Sequence, residues 1–386
     1  MKIQMKLFVK FLIFCLAVLS FFPFAPDCFA NSVSDEFFSS GAVDIIGEKA
    51  SGENIDKVYG GFDFAEFTKE ILNGNVFQPK KIVGKAVKIL FGAAMENAHM
   101  LVVLIALALA GGIISNLQSS FNAKSTAETA FFAFYTMYSG ILTVCVYNCL
   151  ESARQTVEAQ SAFLQAATPT YIGMMIASGS VLKSAASKPV ILYFISLISI
   201  AVKDFFIPFS FMIFILSVIN NLSGKMHITK LVSLLRLIVT KSLTALMTVF
   251  VTLLTLSGMS AQSADTLSVR AAKYAAQNFV PVVGNVLSST IDTVYASASV
   301  LRSALGVAGI VTVALLCAYP VLKFGALIFL YKLAAAIIEP LADKRISNAV
   351  NEAANGISLL FSLLVCVAVV FSLSIAYLAE FAMGVG

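Results

Sequence analysis

Residues 261–302 read AQSADTLSVRAAKYAAQNFVPVVGNVLSSTIDTVYASASVLR. An uncharged apolar segment precedes this stretch at 242–260, and another follows it at 303–320. Each of these segments has about the length of a helix that crosses the hydrocarbon core of a bilayer. The stretch between them carries charges and many small residues, so it is too polar to be a lipid-facing span. The pattern indicates a membrane protein that presents residues 261–302 on one face of the membrane.

The composition of the whole chain supports this interpretation. Of the 386 residues, 59% are hydrophobic and only 12% are charged, whereas soluble domains carry about 25% charged residues. No run shows the two-residue alternation typical of transmembrane barrel strands. We therefore predict an all-α, polytopic membrane protein with about seven transmembrane helices. The net charge of +5 is spread thinly between the apolar segments, which argues against nucleic-acid binding.

The sequence lacks the motifs of the common enzyme classes. It has no P-loop glycine-lysine motif, no HExxH and no GxSxG. Two histidines are too few for a multi-histidine metal site, and the six cysteines lie in the leader or in apolar runs, where they are expected to pack as small side chains. We therefore predict no catalytic residue, no metal and no cofactor.

The N-terminus has the features of a secretory signal peptide. Lys2, Lys6 and Lys10 precede the apolar run 11–24, and small residues precede Asn31. This arrangement predicts cleavage after Ala30, with an uncleaved anchor helix as the alternative.

Residues 31–98 are predicted to form an extracytoplasmic acidic segment followed by a basic interfacial helix. Residues 31–76 contain nine acids and three lysines, and the phenylalanines of 62–72 are spaced for one short amphipathic helix. Four lysines then alternate with apolar residues at helical spacing in 77–98, which indicates a helix lying at the membrane surface or a plain extension of the first span.

The polytopic domain is predicted to cover residues 99–386. The expected apolar spans are 99–117, 127–150, 189–222, 242–260, 303–320, 324–338 and 357–379. Two points stay open: residues 163–180 are a re-entrant helix, an interfacial helix or a weak extra span, and residues 189–222 are one kinked span or a tight hairpin. The basic, acid-free segment 223–241 is predicted to be cytoplasmic, which places 261–302 outside.

The candidate functional residues fall into two groups. In 261–302 we expect two short amphipathic helices, joined at a Pro-Val-Val-Gly corner, which present Asp265, Arg270, Lys273, Pro281 and Gly284. The second group consists of charges within apolar segments, which are costly in a membrane and often functional. It comprises the adjacent pair Lys203 and Asp204, and the pair Lys332 and Glu339, two helical turns apart. Mutual neutralisation of the first pair and snorkelling of Lys332 are the alternatives.

Several motifs resemble the stage III sporulation protein AE family of endospore-forming bacteria. They are Asp265-Thr-Leu-Ser-Val-Arg270-Ala-Ala-Lys273, Asn278-Phe-Val-Pro-Val-Val-Gly284, Ser297-Ala-Ser, Tyr331-Lys-Leu-Ala-Ala-Ala-Ile-Ile-Glu-Pro340, Pro189-Val-Ile-Leu, Ile207-Pro208 and Lys230-Leu-Val-Ser-Leu-Leu-Arg236. The resemblance covers about residues 80–375, and it is most specific in the block that ends at Gly284.

The resemblance implies a mother-cell protein of the outer forespore membrane. Its expected partners are the lipid bilayer, other stage III sporulation membrane proteins, including ring-forming and ATPase components, and a forespore protein; a homo-oligomer is compatible with it. The implied role is a permease-like or channel-forming subunit of the complex that links mother cell and forespore. The alternatives are a non-conducting scaffold for the ring and ATPase components and a stand-alone small-molecule transporter.

Overall fold

A computed structural model describes residues 41–50, 53–58, 60–72, 79–120, 124–222, 228–279 and 284–379. Within these residues all regular elements are helical, which confirms the predicted all-α class. The predicted signal peptide, residues 1–30, lies outside the described residues.

The described elements are ten α-helices and one short π-helix. In chain order they are α1 (Ala42–Ala50), α2 (Glu53–Val58), α3 (Phe64–Leu72), α4 (Pro79–Ser120), α5 (Lys124–Ala177), α6 (Val181–Ile200), the π-helix (Ala201–Phe206), α7 (Ile207–Leu222), α8 (Thr229–Phe279), α9 (Gly284–Ile338) and α10 (Lys344–Ala379).

Three of the helices are much longer than a bilayer is thick. Helices α5, α8 and α9 contain 54, 51 and 55 residues. At about 1.5 Å per residue each is roughly 76–83 Å long, whereas the hydrocarbon core measures only about 30 Å. A substantial part of each helix must therefore lie outside the hydrocarbon core.

Five helical stretches in the described part of the chain are long and apolar enough to cross a membrane. They are Glu128–Ala177, Lys188–Leu222, Thr229–Leu254, Tyr295–Ile338 and Lys344–Ala379. A sixth apolar stretch, His99–Ile113 in α4, is shorter. These stretches support the prediction of a polytopic membrane protein.

Two of the seven expected spans form one helix. Residues 303–320 and 324–338 both belong to α9, which passes through Pro320 without a break. An interior proline removes one backbone hydrogen bond, but membrane helices tolerate this where neighbouring helices surround the site. Both Val321 and Phe324, which follow Pro320, are buried.

The structure also decides between the alternative interpretations of residues 163–180 and 189–222. Residues 163–177 are the C-terminal part of α5, which continues through Pro169, and a turn with Gly179 at φ 82° leads into α6. Residues 189–222 contain no reversal, because α6, the π-helix and α7 follow one another directly. The hairpin interpretation of 189–222 is therefore wrong, and the single-span interpretation is retained.

Helix α10 forms the centre of the bundle and runs antiparallel to α9. Most of its residues are buried, and it packs against α9, α5 and α7. Near the start of α9, Arg302 bonds to Ala379 at the end of α10, and near the end of α9, Lys332 bonds to Asn351 near the start of α10. We call these two ends of the bundle the Arg302 end and the Lys332 end.

The three short N-terminal helices pack against the sides of α5 and α9. The rings of Phe64 in α3 and Phe163 in α5 meet edge to face with centroids 5.9 Å apart. Lys57 in α2 lies 4.7 Å above the ring of Tyr319 in α9. Helix α3 covers the expected amphipathic stretch, and the bundle supplies the apolar partner surface that this short segment lacks alone.

Candidate functional site

The candidate residues of 261–302 lie on the terminal parts of two long helices. Asp265, Arg270 and Lys273 belong to α8, and Gly284 is the first residue of α9. Pro281 lies outside the described residues. The flanks of the corner are therefore helical as expected, but they continue α8 and α9 and are not separate short helices. The functional role of these residues stays a prediction.

The π-helix holds the first charged pair. Its wider turn is seen where the N–H of Ile207 donates to the carbonyl of Val202, five residues earlier. Pro208 follows directly, and because proline has no N–H it cannot bond to the carbonyl four residues before it. Single π-turns within α-helices are often found at functional sites.

Lys203 does not depend on its neighbour Asp204 for neutralisation. Its Nζ lies 2.8 Å from Oε1 of Glu158 in α5, forming an ion pair between antiparallel helices. The side chain of Lys203 is 20% exposed and that of Glu158 is 62% exposed, while Asp204 is exposed. The expectation that Lys203 and Asp204 neutralise each other is therefore corrected: the carboxylate bonded to Lys203 comes from Glu158.

Lys332 takes part in a polar network between α9 and α10. Its Nζ donates to Oδ1 of Asn351 at 2.5 Å and to Oδ1 of Asn355 at 2.8 Å. Nδ2 of Asn355 in turn donates to Oε1 of Glu352 at 3.1 Å. Glu339 is exposed in the turn after α9. The observed hydrogen bonds of Lys332 are thus to amide oxygens of α10 and not to Glu339.

Arg236 of α8 joins this network through Glu352. Its Nη2 lies 3.1 Å from Oε2 of Glu352, and the two side chains are 35% and 22% exposed. Nε of Arg236 is buried and has no hydrogen-bond partner among the described residues. We call the five residues Arg236, Lys332, Asn351, Glu352 and Asn355 the basic cluster.

A third set of polar contacts lies at the Arg302 end of the bundle. Arg302 is 4% exposed, its Nε donates to the carbonyl of Ala379 at 3.0 Å, and its Nη1 donates to Oγ of Ser178 at 2.8 Å. One side chain therefore ties the start of the bundled part of α9 to the end of α10 and to the turn between α5 and α6.

The partners of these cations were not among the residues predicted from the sequence. Glu158, Arg236 and Glu352 are charged residues near the edges of apolar runs, where charged residues are common. Nothing in the sequence around them therefore indicates that they bind a cation or an anion of another helix. One sequence pattern could have indicated a polar site: Asn351, Glu352 and Asn355 lie about one helical turn apart, next to the apolar part of α10. In the described residues no group of three or more His, Cys, Asp or Glu side chains is placed to hold a metal ion.

The chain is similar to known sporulation proteins over most of its length. The family model described as Stage III sporulation protein AE matches residues 62–382. The protein of Bacillus subtilis (strain 168) named Stage III sporulation protein AE is 26% identical over 307 residues, which are 79% of this chain and 77% of that protein. No solved structure matches the chain.

Proposed function

Because the chain belongs to the stage III sporulation protein AE family, we propose that it is a permease-like or channel-forming membrane subunit of the complex that links mother cell and forespore. It resides in the mother-cell-derived membrane around the forespore and acts with ring-forming and ATPase components and a forespore partner. The family is one of sporulation membrane proteins and is not a known enzyme family.

The observation that carries this proposal is the ion pair between Lys203 and Glu158. The helical segments that flank Lys203 and Asp204 in the chain are apolar: residues 189–202 and 205–222 contain no charge. A Glu side chain that is 62% exposed beside such segments is unfavourable against lipid. Irregular backbone at membrane depth is tolerated only against protein or a water-filled cavity. The exposed side of the pair is therefore best explained by a water-filled path or a protein partner.

The test replaces each residue of the ion pair in turn and measures assembly of the complex separately from sporulation. Lys203→Leu and Glu158→Leu should each lower the yield of heat-resistant spores by at least about tenfold, because each leaves one charge unpaired near apolar surroundings. Protein level and co-purification of the ring and ATPase components should remain unchanged. Asp204→Asn, which alters a neighbouring exposed charge, is the matched control and should sporulate normally. Normal sporulation of both Leu variants would refute the proposal.

A scaffold without its own pathway is the second candidate, favoured by the length of α5, α8 and α9. Helices of roughly 76–83 Å leave long surfaces outside the hydrocarbon core, where partners can bind. If this candidate is right, loss of sporulation and loss of partner co-purification occur together in every variant. The Lys203→Leu variant therefore distinguishes the two: retained partners with failed sporulation favour the pathway.

A further inference from the structure

The basic cluster lies where three helices meet at the Lys332 end. Arg236 comes from α8, Lys332 from α9, and Asn351, Glu352 and Asn355 from α10. The five residues span 120 positions of sequence, and their contacts are set by the packing of the bundle. Nothing in the pathway proposed above depends on them.

The charges within the cluster do not balance. It contains two cations, Arg236 and Lys332, and one carboxylate, Glu352. Both oxygens of that carboxylate are already engaged, one by Arg236 at 3.1 Å and one by Asn355 at 3.1 Å. Lys332 donates to two neutral amide oxygens, those of Asn351 and Asn355. The cluster therefore carries one net positive charge that its own carboxylate does not compensate.

Both cations can be reached from the surface of the bundle. Arg236 is 35% exposed at its side chain, and Lys332 is intermediate in exposure. The same stretches of α8 and α9 also expose large apolar side chains: Leu234 and Leu237 on α8, and Leu333 and Ile337 on α9. A partly exposed cation on a helix that exposes aliphatic side chains within about a turn and a half of it matches the two parts of a phospholipid, a phosphate and its acyl chains.

We infer that the basic cluster binds the phosphate group of an anionic phospholipid, with Arg236 and Lys332 as its ligands. Arginine and lysine are the usual phosphate ligands of proteins. Basic pockets between membrane helices are known to bind anionic head groups at the cytoplasmic side. The predicted cytoplasmic position of residues 223–241 would place Arg236 at that side. Free phosphate has the same binding chemistry, so the experiment includes it separately.

The test measures lipid retention by the full-length protein purified in a neutral detergent. The protein is mixed with equal amounts of phosphatidylglycerol and phosphatidylcholine, and the bound lipids are counted by native mass spectrometry. Arg236→Gln and Lys332→Gln should each lower the preference for phosphatidylglycerol by about fivefold. Lys344→Gln, which removes an exposed lysine at the same end of the bundle, should leave the preference unchanged.

Glu352→Gln separates binding from a structural role. It removes the one carboxylate of the cluster, so a phosphate site should bind phosphatidylglycerol more tightly, although the helix packing loses an ion pair. A purely structural ion pair predicts lower stability with unchanged lipid preference. This variant also decides the matter if Arg236→Gln and Lys332→Gln fail to fold.

The outcomes are distinct. A lower preference for phosphatidylglycerol in the two cation variants, or a higher preference in Glu352→Gln, supports the site. The same preference in all variants, or an equal decrease of the preference in Lys344→Gln, overturns it. Addition of inorganic phosphate distinguishes the ligands. Displacement of the lipid by millimolar phosphate means that the cluster binds phosphate as such, and overturns the assignment to a phospholipid; retention supports it.

Discussion

Two glycines of α9 lie in opposite surroundings. A Cβ added to Gly309 would overlap the hydroxyl of Tyr171, which is buried and donates a 2.6 Å hydrogen bond to the carbonyl of Leu305. A Cβ added to Gly325 would meet nothing within 4 Å. The first glycine therefore permits close packing of α5 on α9, as small residues do in membrane helix pairs, while the second has no such role.

Gly309→Ala should lower the free energy of unfolding by about 1–3 kcal/mol, because the added methyl group forces Tyr171 from its position. Gly325→Ala should raise it by about 0.5–1 kcal/mol, because alanine favours the helix over glycine. The measurement is thermal unfolding of the two purified variants in the same detergent. Equal shifts of the same sign would contradict the packing of Tyr171 against Gly309.

Individual charges were easier to predict than their partners. Lys203 and Lys332 were identified because each interrupts an apolar run, and both are held by polar contacts across helices. Their partners could not be read from sequence spacing. Residues i and i+1 of a helix do not face each other, which is why Asp204 is not the partner of Lys203. Glu158 and Asn351 become neighbours of these lysines only because the helices pack in one particular register. No local sequence pattern specifies that register.

Residues 303–320 and 324–338 were expected to be two spans, and they belong to one helix. Pro169 and Pro320 fall inside apolar runs, where a proline either ends a helix or is accommodated with the loss of one bond. Both are accommodated here, so α5 and α9 continue past them. The outcome depends on the neighbouring helices that pack around each proline, as the buried Val321 and Phe324 illustrate.

Docking of α1–α3 is predicted to depend on Phe64. This side chain is 1% exposed and contacts Phe163 of α5, so Phe64→Ala should remove about 3–5 kcal/mol of packing. Limited proteolysis of the purified protein should then cut faster within residues 41–72. Ile45→Ala, which truncates a 58% exposed side chain of the same segment, should not change the rate. Faster cutting in Ile45→Ala would show that the segment is not fixed through Phe64.

The structure adds a constraint to the topology of the whole chain. The turn at 178–180 and the start of the bundled part of α9 lie together, because Arg302 bonds to Ser178. Residues 178–180 therefore belong to the same end of the bundle as the entry into 261–302, which is predicted to lie outside. The basic segment 223–241 was predicted on the opposite, cytoplasmic side from its lysines alone.

Cysteine labelling in a cysteine-free background checks this arrangement. Ser180→Cys and Ser288→Cys should both react with a membrane-impermeant maleimide added from outside. Ser223→Cys and Lys344→Cys should react only after the membrane is permeabilised. Labelling of Ser180→Cys and Ser288→Cys from opposite sides would contradict the Arg302 contact. If all four cysteines are labelled from the side opposite to the one expected, the predicted orientation in the membrane is inverted.

The antiparallel pair of α9 and α10 is fixed at both ends, by Arg302 at one and by Lys332 at the other. Lengthwise sliding of one helix along the other would break both sets of polar contacts at once. Shear between these two helices is therefore a costly motion for the molecule. Any conformational change of the bundle should leave α9 and α10 in fixed register.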